Sequence, residues 1–153
     1  MKSYSVRYQF SQPFAVPARR AYEWCTDYRT DDLGRMGMKG RRKIRRINAD
    51  TLILTDTVVG GGRSVRKEKL VRLDPARMYW TNTYLAGPYR HSQFLYEIVS
   101  EGKDRSRLDF TGLQVFYGEE PSAEKTAEMA RKLAKEDSGS WSLLAEAMRR
   151  DLD

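Results

Sequence analysis

Between Arg41 and Tyr117 the chain divides into six strand-like runs joined by tight turns, and its one long stretch of helical periodicity follows them. The runs are Arg41–Ile47, Thr51–Val59, Arg63–Leu73, Met78–Leu85, Tyr89–Val99 and Ser106–Tyr117. Between them lie Asn48-Ala49-Asp50, Gly60-Gly61-Gly62, Asp74-Pro75-Ala76-Arg77, Gly87-Pro88 and Glu101-Gly102-Lys103-Asp104, rich in the residues that tight turns demand. Connections this short allow only antiparallel neighbours, because a parallel pair needs a crossover of a dozen or more residues. A further strand comes first: Tyr4, Val6, Tyr8 and Phe10 alternate with Ser5, Arg7, Gln9 and Ser11 up to Phe14.

Pro17 suits the first turn of a helix, where a missing N–H costs nothing. Ala18, Ala21, Tyr22 and Cys25 then fall on one helical face, and a second short helix is expected over Thr30 to Met36. At the far end Ser122 is a good N-cap, with Glu124 in the first turn. Ala123, Ala127, Ala130 and Ala134 continue in phase into Trp141, Leu144, Ala145, Met148 and Leu152. A sheet with one apolar face needs a cover, and only this helix is long enough. The expected architecture is an α+β helix-grip: a seven-stranded curved antiparallel sheet, two short helices after the first strand, and a long C-terminal helix over an apolar cavity.

The 153 residues suit a single domain spanning 1–153, and 40% hydrophobic with 32% charged residues is a globular composition. Neither a transmembrane run nor a secretory leader is apparent, and the single cysteine forbids an internal disulfide, so a cytoplasmic location is expected. Cys25 reads as a packed apolar side chain. One cysteine and one histidine argue against a Cys/His metal site, and neither metal nor cofactor is expected. The net charge of +7 is uneven. From Glu119 onward six Lys/Arg face nine Asp/Glu, leaving 22 and 12 in the body, a net of +10.

The order of elements resembles the START-like (SRPBCC) superfamily, which includes birch-pollen allergens, lipid-transfer START domains, polyketide cyclase/aromatases and coenzyme Q-binding proteins. Two stretches carry the resemblance. Phe14 to Tyr28, FAVPARRAYEWCTDY, is similar to the family's opening of strand, small residue, Pro and a helix ending in Thr-Asp. Leu95 to Val99 followed by Ser106 to Phe110 is similar to its final hairpin. The glycine-rich loop of allergen-type members follows their second strand, whereas Gly60-Gly61-Gly62 comes one strand later and reads as a plain hairpin turn. The resemblance implies a cavity for a small hydrophobic molecule, and no family-wide catalytic residue.

The concave side of such a sheet must be filled by side chains or a ligand. Trp80, Tyr84, Phe94, Tyr96, Leu108 and Phe110 are the inward candidates, with Met36, Met38, Trp141 and Met148 closing the ends. The same residues would equally make a solid core. Asp137 lies on the inward stripe of the long helix, where a carboxyl would either pair with a cation, such as His91 or an arginine like Arg90, or stay protonated, and where it is a candidate general acid or base. The favoured expectation is simpler: Asp137-Ser138-Gly139-Ser140 kinks or breaks the helix, with Asp137 or Ser140 capping its second half. His91 is a candidate for acid–base chemistry by residue type, but it has no acid at fixed spacing.

The basic run Arg41-Arg42-Lys43-Ile44-Arg45-Arg46, with Arg63, Arg66, Lys67, Lys69 and Arg72, reads first as a solvated outer face. It is also a candidate surface for anionic lipid headgroups or nucleic acid. Three functions follow in order: carriage of a lipid, quinone or polyketide-like molecule; a cyclase, aromatase or dehydratase using His91 and Asp137; and binding of an anionic macromolecule.

Overall fold

The computed structural model describes residues 1–153. The elements run β1 (Ser3–Phe14), α1 (Ala18–Thr26), α2 (Asp32–Arg35), β2 (Lys39–Asn48), β3 (Thr51–Gly60), β4 (Arg63–Asp74), β5 (Tyr79–Ala86), β6 (Gln93–Ser100), β7 (Ser106–Tyr117) and α3 (Ala123–Leu152). The seven strands form one antiparallel sheet in the order β1-β7-β6-β5-β4-β3-β2. Chain order is kept from β2 to β7, and β1 closes the far side by pairing with β7 from Ser3↔Tyr117 to Phe14↔Ser106. This is the expected helix-grip.

Strand alternation sorts the side chains. Val6, Tyr8 and Phe14 of β1, Leu52 and Leu54 of β3, Trp80 of β5, Phe94, Tyr96 and Ile98 of β6 and Leu108 and Phe110 of β7 are buried on the concave side. There they meet Leu144, Ala147 and Met148 of α3. Trp80 stacks on Tyr96 with ring centroids 4.9 Å apart, the edge of Tyr96 meets Phe110, and Trp141 packs at a tilt on Tyr96. Offset and edge-on aromatic contacts of this kind add to the gain from burial. Gly61 and Gly62, at φ 57° and 74°, form the two-residue turn between Gly60 and Arg63, a geometry that twists with the strands.

Two expectations are corrected. The C-terminal helix does not break at Asp137–Ser140: α3 is continuous from Ala123 to Leu152, with Ser122 Oγ accepting from Lys125 N at 3.1 Å. A helical Gly costs only about 1 kcal/mol against Ala, which the packed α3 absorbs. Asp137 caps nothing and turns instead toward Tyr8. The fifth of the central runs also starts later than Tyr89. Arg90 N bonds Gly87 O, Ser92 N bonds Tyr89 O, and β6 begins at Gln93. Gly87 is needed here, because a Cβ would lie 2.5 Å from Arg66 O.

One ion network ties the far sheet edge to the helical segment. Arg42 of β2 bonds Asp56 of β3 through Nε and Nη2 at 2.8 and 2.9 Å, and Asp32 of α2 through Nη1 at 2.9 Å. Both Arg42 and Asp56 are buried. A buried pair is weak evidence of net stability, but removing one partner strands the other charge at a cost of about 3–5 kcal/mol. Asp56→Ala is therefore expected to lose about 3 kcal/mol in urea unfolding. The double change Arg42→Met with Asp56→Leu should recover part of that loss, and a single variant as stable as the parent would contradict the reading.

Candidate functional site

The same alternation that buries Leu52 and Leu54 carries Asp56 and Val58 of β3 to the concave side, and the phase of Val71 in β4 carries Lys69 and Lys67 there too. The basic run therefore divides. Arg41, Lys43, Arg45, Arg63, Arg66 and Arg72 are exposed, while Arg42, Lys67 and Lys69 turn inward. A purely solvated face is corrected to this extent, because a period of two cannot leave every residue of a charged run outside.

Between sheet and α3 lies a cavity of about 270 Å³. One wall is apolar, made by Phe94, Tyr96, Phe110 and Trp141 with Leu33 and Met36 of the helical segment. The other is polar, with Asp56, Lys67 and Lys69 from the sheet facing Glu136 and Asp137 from α3, and Tyr8, Tyr84 and Tyr89 between them. Asp137 Oδ2 accepts a hydrogen bond from the Tyr8 hydroxyl. Gly112 makes this contact fit: it is Tyr8's cross-strand partner, and a Cβ there would stand 2.6 Å from the Tyr8 ring.

Burial, the larger effect, raises Asp137 above the usual carboxylate range, and the Tyr8 bond partly opposes it. Burial and the Asp137 charge push the Tyr8 phenol well up, so it stays a donor. Lys69 is lowered to about 8, first by desolvation and then by Arg42, with Asp56 opposing at 3.8 Å. Burial alone would raise Asp56, yet the Arg42 bonds and the two lysines hold it below its ordinary value. Lys69 lies over the Tyr84 ring at 5.6 Å and Lys67 over Tyr89 at 4.7 Å. The cavity thus presents an acid and a base whose protonation states are moved toward neutrality.

Of the residues singled out from sequence, Met36, Met38, Tyr84, Phe94, Tyr96, Phe110, Asp137 and Trp141 line this cavity. Trp80 lines a smaller chamber beside it. Met148 is fully buried and borders a separate groove against Phe14 and Val16, because eleven residues of helix carry it about 16 Å past Asp137. His91 is exposed, adopts a left-handed φ of 74° and bonds the Tyr117 hydroxyl, so it does not meet Asp137. Arg90 lies over the ring of Tyr117. Burial pushes the Cys25 thiol well above its ordinary value, which suits a packed side chain.

As cavity residues the sequence alone does not reveal Tyr8, Asp56, Tyr89 and Gln114, and it assigns Lys67 and Lys69 to the basic outer face. The signal that finds most of them is the phase of their strands, followed through polar as well as apolar positions.

No family model matches the sequence, and no curated protein sequence matches it significantly. Solved structures do match. The Zhui aromatase/cyclase from a Streptomyces species aligns with a TM-score of 0.78 over 98% of this chain and 97% of that one, at 14% identity. Norcoclaurine synthase from Thalictrum flavum, in complex with dopamine and hydroxybenzaldehyde, gives 0.72 over 99% and 90%, at 12% identity. A START superfamily protein from Mycobacterium smegmatis gives 0.70 over 94% and 99%, at 15% identity. The fold is that of the START-like, or SRPBCC, superfamily.

Removing the Tyr8 hydroxyl removes the bond that favours the charged carboxylate. Tyr8→Phe is therefore expected to raise the Asp137 pKa further, read from its side-chain carbon resonance across a pH titration. A fall, or no change, would show that the bond does not govern this carboxyl.

Proposed function

We propose that the cavity binds a small oxygenated aromatic or polyketide-like molecule and promotes acid–base chemistry on it, of the cyclase, aromatase or dehydratase kind. The observation that carries this reading is the facing of Asp137, held by Tyr8, and Lys69 across one cavity with an aromatic wall. A carrier for a purely apolar ligand gains nothing from two lysines and three carboxyls around its cargo, since each loses hydration when such a ligand enters. An oxygenated substrate gives them partners. The likeness to an aromatase/cyclase and to a synthase held with two small oxygenated aromatics supports the same class.

A dehydration illustrates the roles. Asp137 takes a proton from the carbon beside a ketone. The C–H electron pair becomes the new C=C bond, and the β-oxygen leaves as water after taking a proton from Lys69. Solvent then returns each group to its starting state. Tyr8 holds the carboxyl, and the aromatic wall holds the ring.

The test is dehydration of 4-hydroxy-4-(2-naphthyl)butan-2-one, followed by the absorbance of the conjugated enone. The protein should accelerate it over buffer, and Asp137→Asn should remove about a hundredfold or more of that acceleration. The rate should fall as pH rises through about 8, because Lys69 then loses the proton it must donate. No acceleration, or full activity in Asp137→Asn, would contradict the proposal.

The aromatic wall favours a second reading, simple carriage of a small hydrophobic molecule. Carriage gives binding in native mass spectrometry that Asp137→Asn leaves intact, with no turnover by either protein.

A further inference from the structure

Beside the main cavity lies a second chamber of about 90 Å³, deeper against β5 and α1. The two share Met36, Lys69, Tyr96 and Trp141 as a common partition. On the concave face of β5, between Trp80 and Tyr84, stands Asn82, only 3% exposed. Its Nδ2 donates to the Tyr96 hydroxyl at 3.3 Å, while its Oδ1 is buried without any partner. A buried amide oxygen left unpaired costs about 1–3 kcal/mol, and so invites a donor.

The strand register brings a second group to the same chamber. Asn82 pairs with Val71 and Tyr84 pairs with Lys69, so Asn82 and Lys69 are diagonal neighbours on one face. Such neighbours have backbones about 7–8 Å apart, within reach of one bridging atom given the length of a lysine side chain. The protonated Lys69 only donates, and Asn82 Oδ1 only accepts. A ketone or carboxylate would satisfy Lys69 and set its oxygen against the Asn82 oxygen. An ammonium would satisfy Asn82 and repel Lys69. A hydroxyl donates to one and accepts from the other. With the indole of Trp80 beside it, the chamber fits a hydroxyl carried on an aromatic ring.

We propose that this chamber is a hydroxyl-recognition subsite, in which Asn82 and Lys69 together select ligands bearing a phenolic group. The inference deepens the proposed function, naming the substituent by which the cavity would orient its substrate. Asn82 is then a specificity-determining residue that takes no part in proton transfer.

Two probes of equal shape test it, 2-naphthol and 2-methylnaphthalene, which exchange a hydroxyl for a methyl. In calorimetric titration the unaltered protein should bind 2-naphthol at least tenfold more tightly. Asn82→Leu should cut that preference below threefold by weakening 2-naphthol binding alone. A preference near one in the unaltered protein, or an unchanged preference in Asn82→Leu, would overturn the subsite while the cavity reading stands. Binding of neither probe would overturn both. A measurement on the unaltered protein needs no variant to fold: the Asn82 side-chain amide resonances should move on adding 2-naphthol and stay still with 2-methylnaphthalene. Amide resonances that stay still with 2-naphthol overturn the subsite.

Discussion

The pairing of Arg42 with Asp56 and Asp32 is the constraint on which the site depends. A guanidinium inside a curved sheet is tolerable only when its donors are met, and bidentate contact with Asp56 meets two of them. That pairing joins β2 to β3, and the third contact draws α2 against them. Leu33 and Met36, the apolar residues that α2 and its C-cap bring to the cavity, are placed by it. The positive charge it fixes is also the second cause of the lowered Lys69 pKa. One ion network therefore shapes the cavity and tunes its chemistry.

From there the hollow divides by physical type. Toward β6, β7 and Trp141 the ring of Phe94 stacks on Phe110, the edge of Tyr96 meets Phe110, and Trp141 packs at a tilt on Tyr96. Toward β3 and β4 the inward positions carry charge. Asp137 reaches the charged side from α3, and its position relies on Tyr8, which in turn relies on the absence of a side chain at Gly112. Burial raises the carboxyl, and burial with the charge of Arg42 lowers the lysine, so the two pKa values move toward one another.

Much of this architecture is legible in the sequence because turns and periodicity are local. Asn48-Ala49-Asp50 and Gly60-Gly61-Gly62 mark their hairpins, and the stripe from Ala123 to Leu152 marks the gripping helix. Asp137 stands out at helical spacing. The rest is not local. Tyr8 and Asp137 meet across 129 positions of sequence. Lys67 and Lys69 read as surface charge until the strand phase is carried past Val71. The place of His91 rests on its left-handed backbone, which residue type alone does not declare. The continuity of α3 through Ser138-Gly139-Ser140 comes from tertiary packing that outweighs intrinsic propensity.

The central claim is that the cavity holds ionisable groups in a partly dry setting suited to acid–base work. The most direct measurement is the titration of Lys69 itself, followed by the carbon resonance next to its amine in selectively labelled protein and assigned with Lys69→Met. The Lys69 amine is expected to show a midpoint near 8. A midpoint near 10.5, the ordinary lysine value, would mean a solvated amine and would contradict it.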